Sequence, residues 1–139
     1  MALAVVIDDD AQVRSLVATM LKRAGYEVAQ AKDGEEGIEL CALLQPEVVV
    51  TDIFMPRQDG IDVLRALKTR LKRPRVVAIS GGSPRLQVDF LDLANELGAD
   101  AIVRKPFTPS QLLRAVTGDP ESALPGSSPK QGDHSRWLD

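Results

Sequence analysis

The sequence predicts an α/β fold: a doubly wound parallel sheet of five strands with helices on both faces. Two observations lead there. Five short apolar runs alternate with segments whose apolar residues recur at helical spacing, and each parallel crossover needs a connecting element of that kind. The composition agrees, with 44% hydrophobic residues but only 4% aromatic, which describes a core of Val, Leu, Ile and Ala. At 139 residues the chain fits one domain and a short tail.

The first strand is Leu3 to Ile7, a buried run that opens onto Asp8, Asp9 and Asp10. Asp10 is placed to cap a helix whose inner face is Val13, Val17, Met20, Leu21 and Ala24, and Gly25 stands where that helix should stop. A weaker strand follows over Tyr26 to Ala31. Asp33-Gly34 then turns into a helix with Ile38, Leu40, Cys41 and Leu44, closed by Pro46. Val48 to Thr51 is continuously apolar up to its last residue, as strands covered on both faces are, and it ends at Asp52. The Pro56 to Gly60 loop leads to a helix with Ile61, Val63, Leu64, Leu67 and Leu71. Arg75 to Ile79 forms a fourth strand ending at Ser80-Gly81-Gly82. Ser83-Pro84 supplies a cap and a first-turn proline for a helix lined by Leu86, Phe90, Leu93, Ala94 and Leu97, stopped at Gly98. Ala101 to Val103 is a short fifth strand, and Thr108-Pro109 opens a last helix with Leu112, Leu113 and Val116. Right-handed crossovers leave few topologies, and we choose the strand order 2-1-3-4-5, one of the two common doubly wound orders.

From Gly118 the apolar period vanishes and Pro, Gly and Ser take over, so residues 1–117 are expected to form the domain and 118–139 a disordered tail. Trp137 and Leu138 are the large apolar residues near its end. They are expected to be mobile terminal side chains, with a docking peptide as the alternative.

A net charge of −3 offers no overall positive field for nucleic acid or an anionic membrane. Met1 leads directly into a strand without a basic leader, and no apolar run has the length to span a bilayer. The single cysteine, Cys41, suits a small buried helical position and a reducing cytoplasm. Six basic residues and no acid between Arg65 and Arg75 suggest a solvated helix face.

Ligands of open parallel sheets bind beyond the carboxyl ends of the strands. Those ends carry Asp8, Asp9 and Asp10 after strand one, Asp52 after three, Ser80 after four and Lys105 after five. Carboxylates crowded together raise one another's pKa unless a cation stabilises the charged forms, and a hard divalent ion such as Mg²⁺ is the simplest answer. The only histidine, His134, lies in the tail, so a transition-metal site is not expected. A carboxylate beside Mg²⁺ can attack phosphorus, while an ammonium and a hydroxyl meet the charge on the transferring oxygens.

These residues resemble the receiver domain of response regulators, in Val6-Ile7-Asp8-Asp9-Asp10, Asp52-Ile53-Phe54-Met55-Pro56 with Asp59-Gly60, Ser80, and Lys105-Pro106-Phe107. The resemblance covers roughly residues 3 to 117 and supports the 2-1-3-4-5, flavodoxin-like order. It implies Asp52 as phosphoacceptor, Asp9 as a direct Mg²⁺ ligand and Asp8 as one acting mainly through water. By the same resemblance Asp52 and the Phe54 carbonyl complete the metal's protein ligands, Ser80 and Lys105 serve the phosphoryl group, and Lys105-Pro106 is cis. It implies a histidine kinase or histidine phosphotransfer protein as donor, with Leu16 on the first helix as a contact for it, and no enzymatic activity beyond the domain's own phosphoryl transfer and dephosphorylation. The chain departs from the family at Ile102, where many receivers carry Tyr or Phe three residues before the lysine. Ser80 and Ile102 are therefore the expected switch positions, without an aromatic gate. Two other readings compete. A binding-only pseudo-receiver would use the same fold without phosphorylation. A haloacid-dehalogenase-like phosphatase would use Asp8 within Asp8-x-Asp10 as nucleophile, although Gln12 is not the residue expected there.

Overall fold

The computed structural model describes residues 2–53, 60–68, 73–81 and 98–118. The described elements run β1 Leu3–Ile7, α1 Ala11–Arg23, β2 Glu27–Ala31, α2 Gly34–Leu44, β3 Val48–Asp52, α3 Gly60–Lys68, β4 Arg75–Ser80, β5 Ala101–Arg104 and α4 Pro109–Thr117. The helix expected after Ser83-Pro84 and the tail from 119 lie outside the described residues, as do Leu71, Phe54 and Gly82.

The five strands form one parallel sheet in the order β2-β1-β3-β4-β5, as expected. Its register brings the strand ends level: Ile7 lies opposite Thr51, Asp52 opposite Ile79, and Ser80 opposite Arg104. Alternate residues along the strands feed two cores. Val5, Ile7, Val49, Val76 and Ala78 pack with Cys41 of α2 and Val63, Leu64 and Leu67 of α3. Val6, Val50, Val77, Ile79 and Val103 pack on the other face with Val17 and Leu21 of α1 and Leu112 and Val116 of α4. Covering on both faces leaves every residue of β3 buried, including Thr51 and Asp52.

The helix ends follow from local chemistry. Asp10 caps α1 by accepting from Gln12 N and Val13 N at 2.9 and 3.3 Å. Asp33 caps α2 by accepting from Glu36 N at 2.8 Å, and Thr108 with Gln111 forms a capping box before Pro109. Gly25 leaves α1 at φ 99°, and Gly118 leaves α4 at φ 72°. α2 ends at Leu44 with Gln45 as its left-handed C-cap at φ 50°, directly before Pro46, as expected.

One inner-face expectation is corrected. Ala24 is the exposed C-cap of α1, and Ala18 takes a buried place on that helix. Leu44, the last residue of α2, is 38% exposed beside the still more exposed Leu43. Cys41 is buried, as expected of a small helical hydrophobe.

Candidate functional site

The acidic end of β1 is held by its own backbone. Asp8 N donates to Ala31 O at 3.1 Å, the Asp8 carbonyl accepts from Arg14 Nη1 at 2.8 Å, and Asp8 Oδ1 accepts from Asp10 N at 2.9 Å. These bonds turn the Asp8 carboxylate under the rim, where it is 2% exposed, and leave Asp9 facing solvent. Asp52, the last residue of β3, enters the same space with 4% exposure. One carboxylate oxygen from each of Asp8, Asp9 and Asp52 lies within 4.8 Å of the others. Asp10 serves as the α1 cap.

From the other side, Lys105 reaches over the edge of β5. Its Nζ lies 3.0 Å from Asp52 Oδ2 and 3.9 Å from Asp8 Oδ2. Its backbone N donates to Ser80 O at 2.8 Å, which fixes where the side chain begins, and the bond to Pro106 is cis. Ser80 closes β4 fully buried, and its Oγ has no hydrogen-bond partner among the described residues. A Cβ on Gly81 would stand 3.1 Å from Lys105 Cδ, so glycine there keeps room for the lysine stem.

The electrostatics are those of a site short of positive charge. Burial is the main cause that pushes Asp8 up to about 6; the Asp10 N–H opposes it, Asp52 adds to it, Lys105 opposes and Asp9 adds. Burial works to lower Lys105, but its hydrogen bond to Asp52 and the charges of Asp52, Asp8 and Asp10 outweigh it, and the ammonium is held above its usual range. Asp8 Oδ2, buried and without a hydrogen-bond partner among the described residues, faces this shortage directly. The three-carboxylate oxygen set therefore fits a hard divalent cation better than it fits Lys105 alone.

Asp8, Asp9, Asp52, Ser80 and Lys105 all come to one end of the sheet. Phe54 lies outside the described residues. Ile102 sits one element away, paired with Ala78 and partly buried against the core that includes Val76 and Leu67. Leu16 is 53% exposed on α1. Sequence reasoning missed Arg14, whose bond to the Asp8 carbonyl is reached one helical turn beyond the Asp10 cap.

The family model described as the response regulator receiver domain matches residues 4–117. The chain belongs to the response-regulator receiver family. This receiver is 38% identical over 112 residues to the transcriptional regulatory protein PdtaR of Mycobacterium tuberculosis, covering 80% of this chain and 53% of that protein. It is 37% identical over 107 residues to the probable transcriptional regulator ycf27 of Cyanophora paradoxa, covering 77% and 43%. It thus spans about half the length of the curated relatives it matches. Among solved structures, a receiver domain protein from Clostridium thermocellum superposes with a TM-score of 0.78 at 29% identity, covering 88% of this chain and 96% of that one. The chemotaxis response regulator CheY4 of Vibrio cholerae gives 0.74 at 25%, covering 89% and 99%. The receiver is accordingly a signalling module of two-component type, and no helix among the described residues is long and apolar enough to cross a membrane.

Proposed function

We propose that this receiver accepts a phosphoryl group on Asp52 from a phosphohistidine of a histidine kinase or histidine phosphotransfer protein. The observation that carries this reading is the Lys105 ammonium 3.0 Å from Asp52 Oδ2, with Asp8 and Asp9 alongside. An Asp52 oxygen attacks phosphorus as the bond from phosphorus to the donor imidazole nitrogen breaks, leaving an aspartyl phosphate and a neutral imidazole once its proton is restored. Lys105 turns from the free carboxylate to the new phosphate oxygens, and the buried Ser80 Oγ gains a charged acceptor. Asp8, Asp9 and Asp52 would hold Mg²⁺ together with the Phe54 carbonyl, and the ion when bound offsets carboxylate repulsion and draws charge from the phosphoryl oxygens. The exposed Leu16, on the helix capped by Asp10, is a contact for the donor. The protein acts in the cytoplasm, with no activity beyond its own phosphoryl transfer and loss, and its downstream target is a protein.

Asp10 bears on the phosphatase alternative. Its carboxylate is engaged by the α1 N-terminus, which speaks against its serving as the second acid of an Asp8-x-Asp10 pair. The test is incubation with Mg²⁺ and a small phosphodonor followed by intact-mass and peptide analysis. Wild type should gain one phosphoryl group on Asp52, and Asp52→Asn none there. No uptake by wild type would favour a binding-only receiver, and label on Asp8 would favour the phosphatase.

A further inference from the structure

At the end of the sheet away from the acids, the turn between α1 and β2, the residue before β1 and α4 border an open cavity of about 520 Å³ lined by Ala2, Ala24, Gly25, Tyr26, Leu113 and Thr117. We propose that this cavity is the docking site for the chain's own C-terminal Trp137-Leu138.

The cavity is built into the backbone. Glu27 N donates to Ala2 O at 2.9 Å, Tyr26 N to Leu21 O and Gly25 N to Lys22 O at 3.0 Å, so the turn after α1 and the start of β1 hold fixed positions. Its wall is largely apolar, from the side chains of Ala2, Ala24 and Leu113 and the Tyr26 ring. The Thr117 hydroxyl already donates to Leu113 O. Tyr26 shows that water is partly excluded here: burial, then the charge of Glu47, raises its hydroxyl's pKa against the pull of Arg75.

Three facts select the occupant. Thr117 lines the cavity, so the chain leaves α4 at the cavity's edge and continues for 21 residues past Gly118. A flexible tether from Gly118 to Trp137 has a root-mean-square reach of roughly 25 Å, which places the indole at an effective concentration on the order of millimolar beside the opening. Trp137 is a large side chain with few rotatable bonds, suited to a preformed apolar recess. Charge agrees as well: the exposed Lys22 and Arg23 stand just before Ala24 on the rim, and Asp139 follows Leu138. The intervening residues then act as a tether rather than a free tail.

Trp137 is the chain's single tryptophan and Tyr26 its single tyrosine, so the full-length protein carries its own probe. Docked, the indole emits to the blue of a solvated tryptophan, resists acrylamide quenching several-fold, and quenches Tyr26 emission by energy transfer. Ala24→Glu, at an exposed rim position, should restore solvated emission and release Tyr26 fluorescence with an unchanged circular dichroism spectrum. Thr117→Arg is the second blocking variant if Ala24→Glu fails to fold. Solvated emission in wild type overturns the proposal, as does shielded emission that both variants leave unchanged. Shielding that disappears on dilution assigns the cavity to a second copy and overturns it equally.

Discussion

Asp8 carries the clearest residue-scale prediction. Its folded pKa of about 6 lies above its ordinary 3.8, so the folded chain binds that proton more tightly than the unfolded chain does. Metal-free stability is therefore highest below pH 3.8 as far as Asp8 is concerned, falls as pH rises through the window, and levels above about 6, a loss of up to about 3 kcal/mol. Asp8→Asn, which keeps the shape and an acceptor for Asp10 N, should melt increasingly above wild type across that window in the presence of chelator. Parallel melting curves at pH 4 and pH 7 would refute it. Added Mg²⁺ should shrink the difference, because only the wild-type carboxylate gains a cation. Ser80 and Ile102 divide differently. Ser80 Oγ is buried without a partner among the described residues, so Ser80→Ala should leave the resting fold as stable or slightly more so, while strongly reducing the amide shifts induced by a phosphate mimic. Ile102→Val removes one methylene from a partly buried side chain and should retain most of that response. The reverse pattern in the amide spectra would move the switch to Ile102.

At the scale of the element, α2 sits against β1 closely enough that a Cβ on Gly37 would run into Ile7 Cδ1 and Cγ1. Ile7 is 1% exposed and has little room to yield. Gly37→Ala should then destabilise by about 1–3 kcal/mol despite alanine's better helix propensity, and Ile7→Val in the same chain should recover part of the loss in urea titrations. If Gly37→Ala stabilises, the close approach is wrong. Gly37 also marks where the sequence stops being legible. The strands, Asp10, Asp33 and Thr108 caps, and the glycine stops at Gly25 and Gly118 are local signals, and the structure has them where the residues imply. What helical spacing cannot show is which faces meet: Ala18 packs, Leu44 does not, and Arg114 is 7% exposed within α4. That Asp8, Asp9, Asp52, Ser80 and Lys105 converge was legible for a different reason. Parallel strands deliver their last residues to one edge, so acids at the ends of apolar runs meet without any long-range information. Arg14 was not legible, since its target is a backbone carbonyl with no side-chain partner to announce it.

Across the whole molecule, α1 joins two ends of different character. Its Asp10 cap stands beside the carboxylates, and its Ala24-Gly25 end forms the cavity rim about 20 Å away for a helix of 13 residues. Deleting the residues after Gly118 should leave the sheet, its two cores and phosphoryl uptake intact, because residues 4–117 match the family and the described core draws on nothing beyond Val116. A fall in melting temperature of more than a few degrees on truncation would contradict this, since docking one side-chain pair at a rim contributes far less than a core element. The link between Lys105 and Asp52 has a further bearing on timing. The two lie 53 positions apart in the chain, so on the ribosome all three clustered acids are synthesised long before the ammonium that balances them. Until β5 has joined the sheet, the cluster of Asp8, Asp9 and Asp52 lacks the ammonium of Lys105. On the proposed reading, competence to take a phosphoryl group then arrives only once β5 has brought Lys105 beside Asp52.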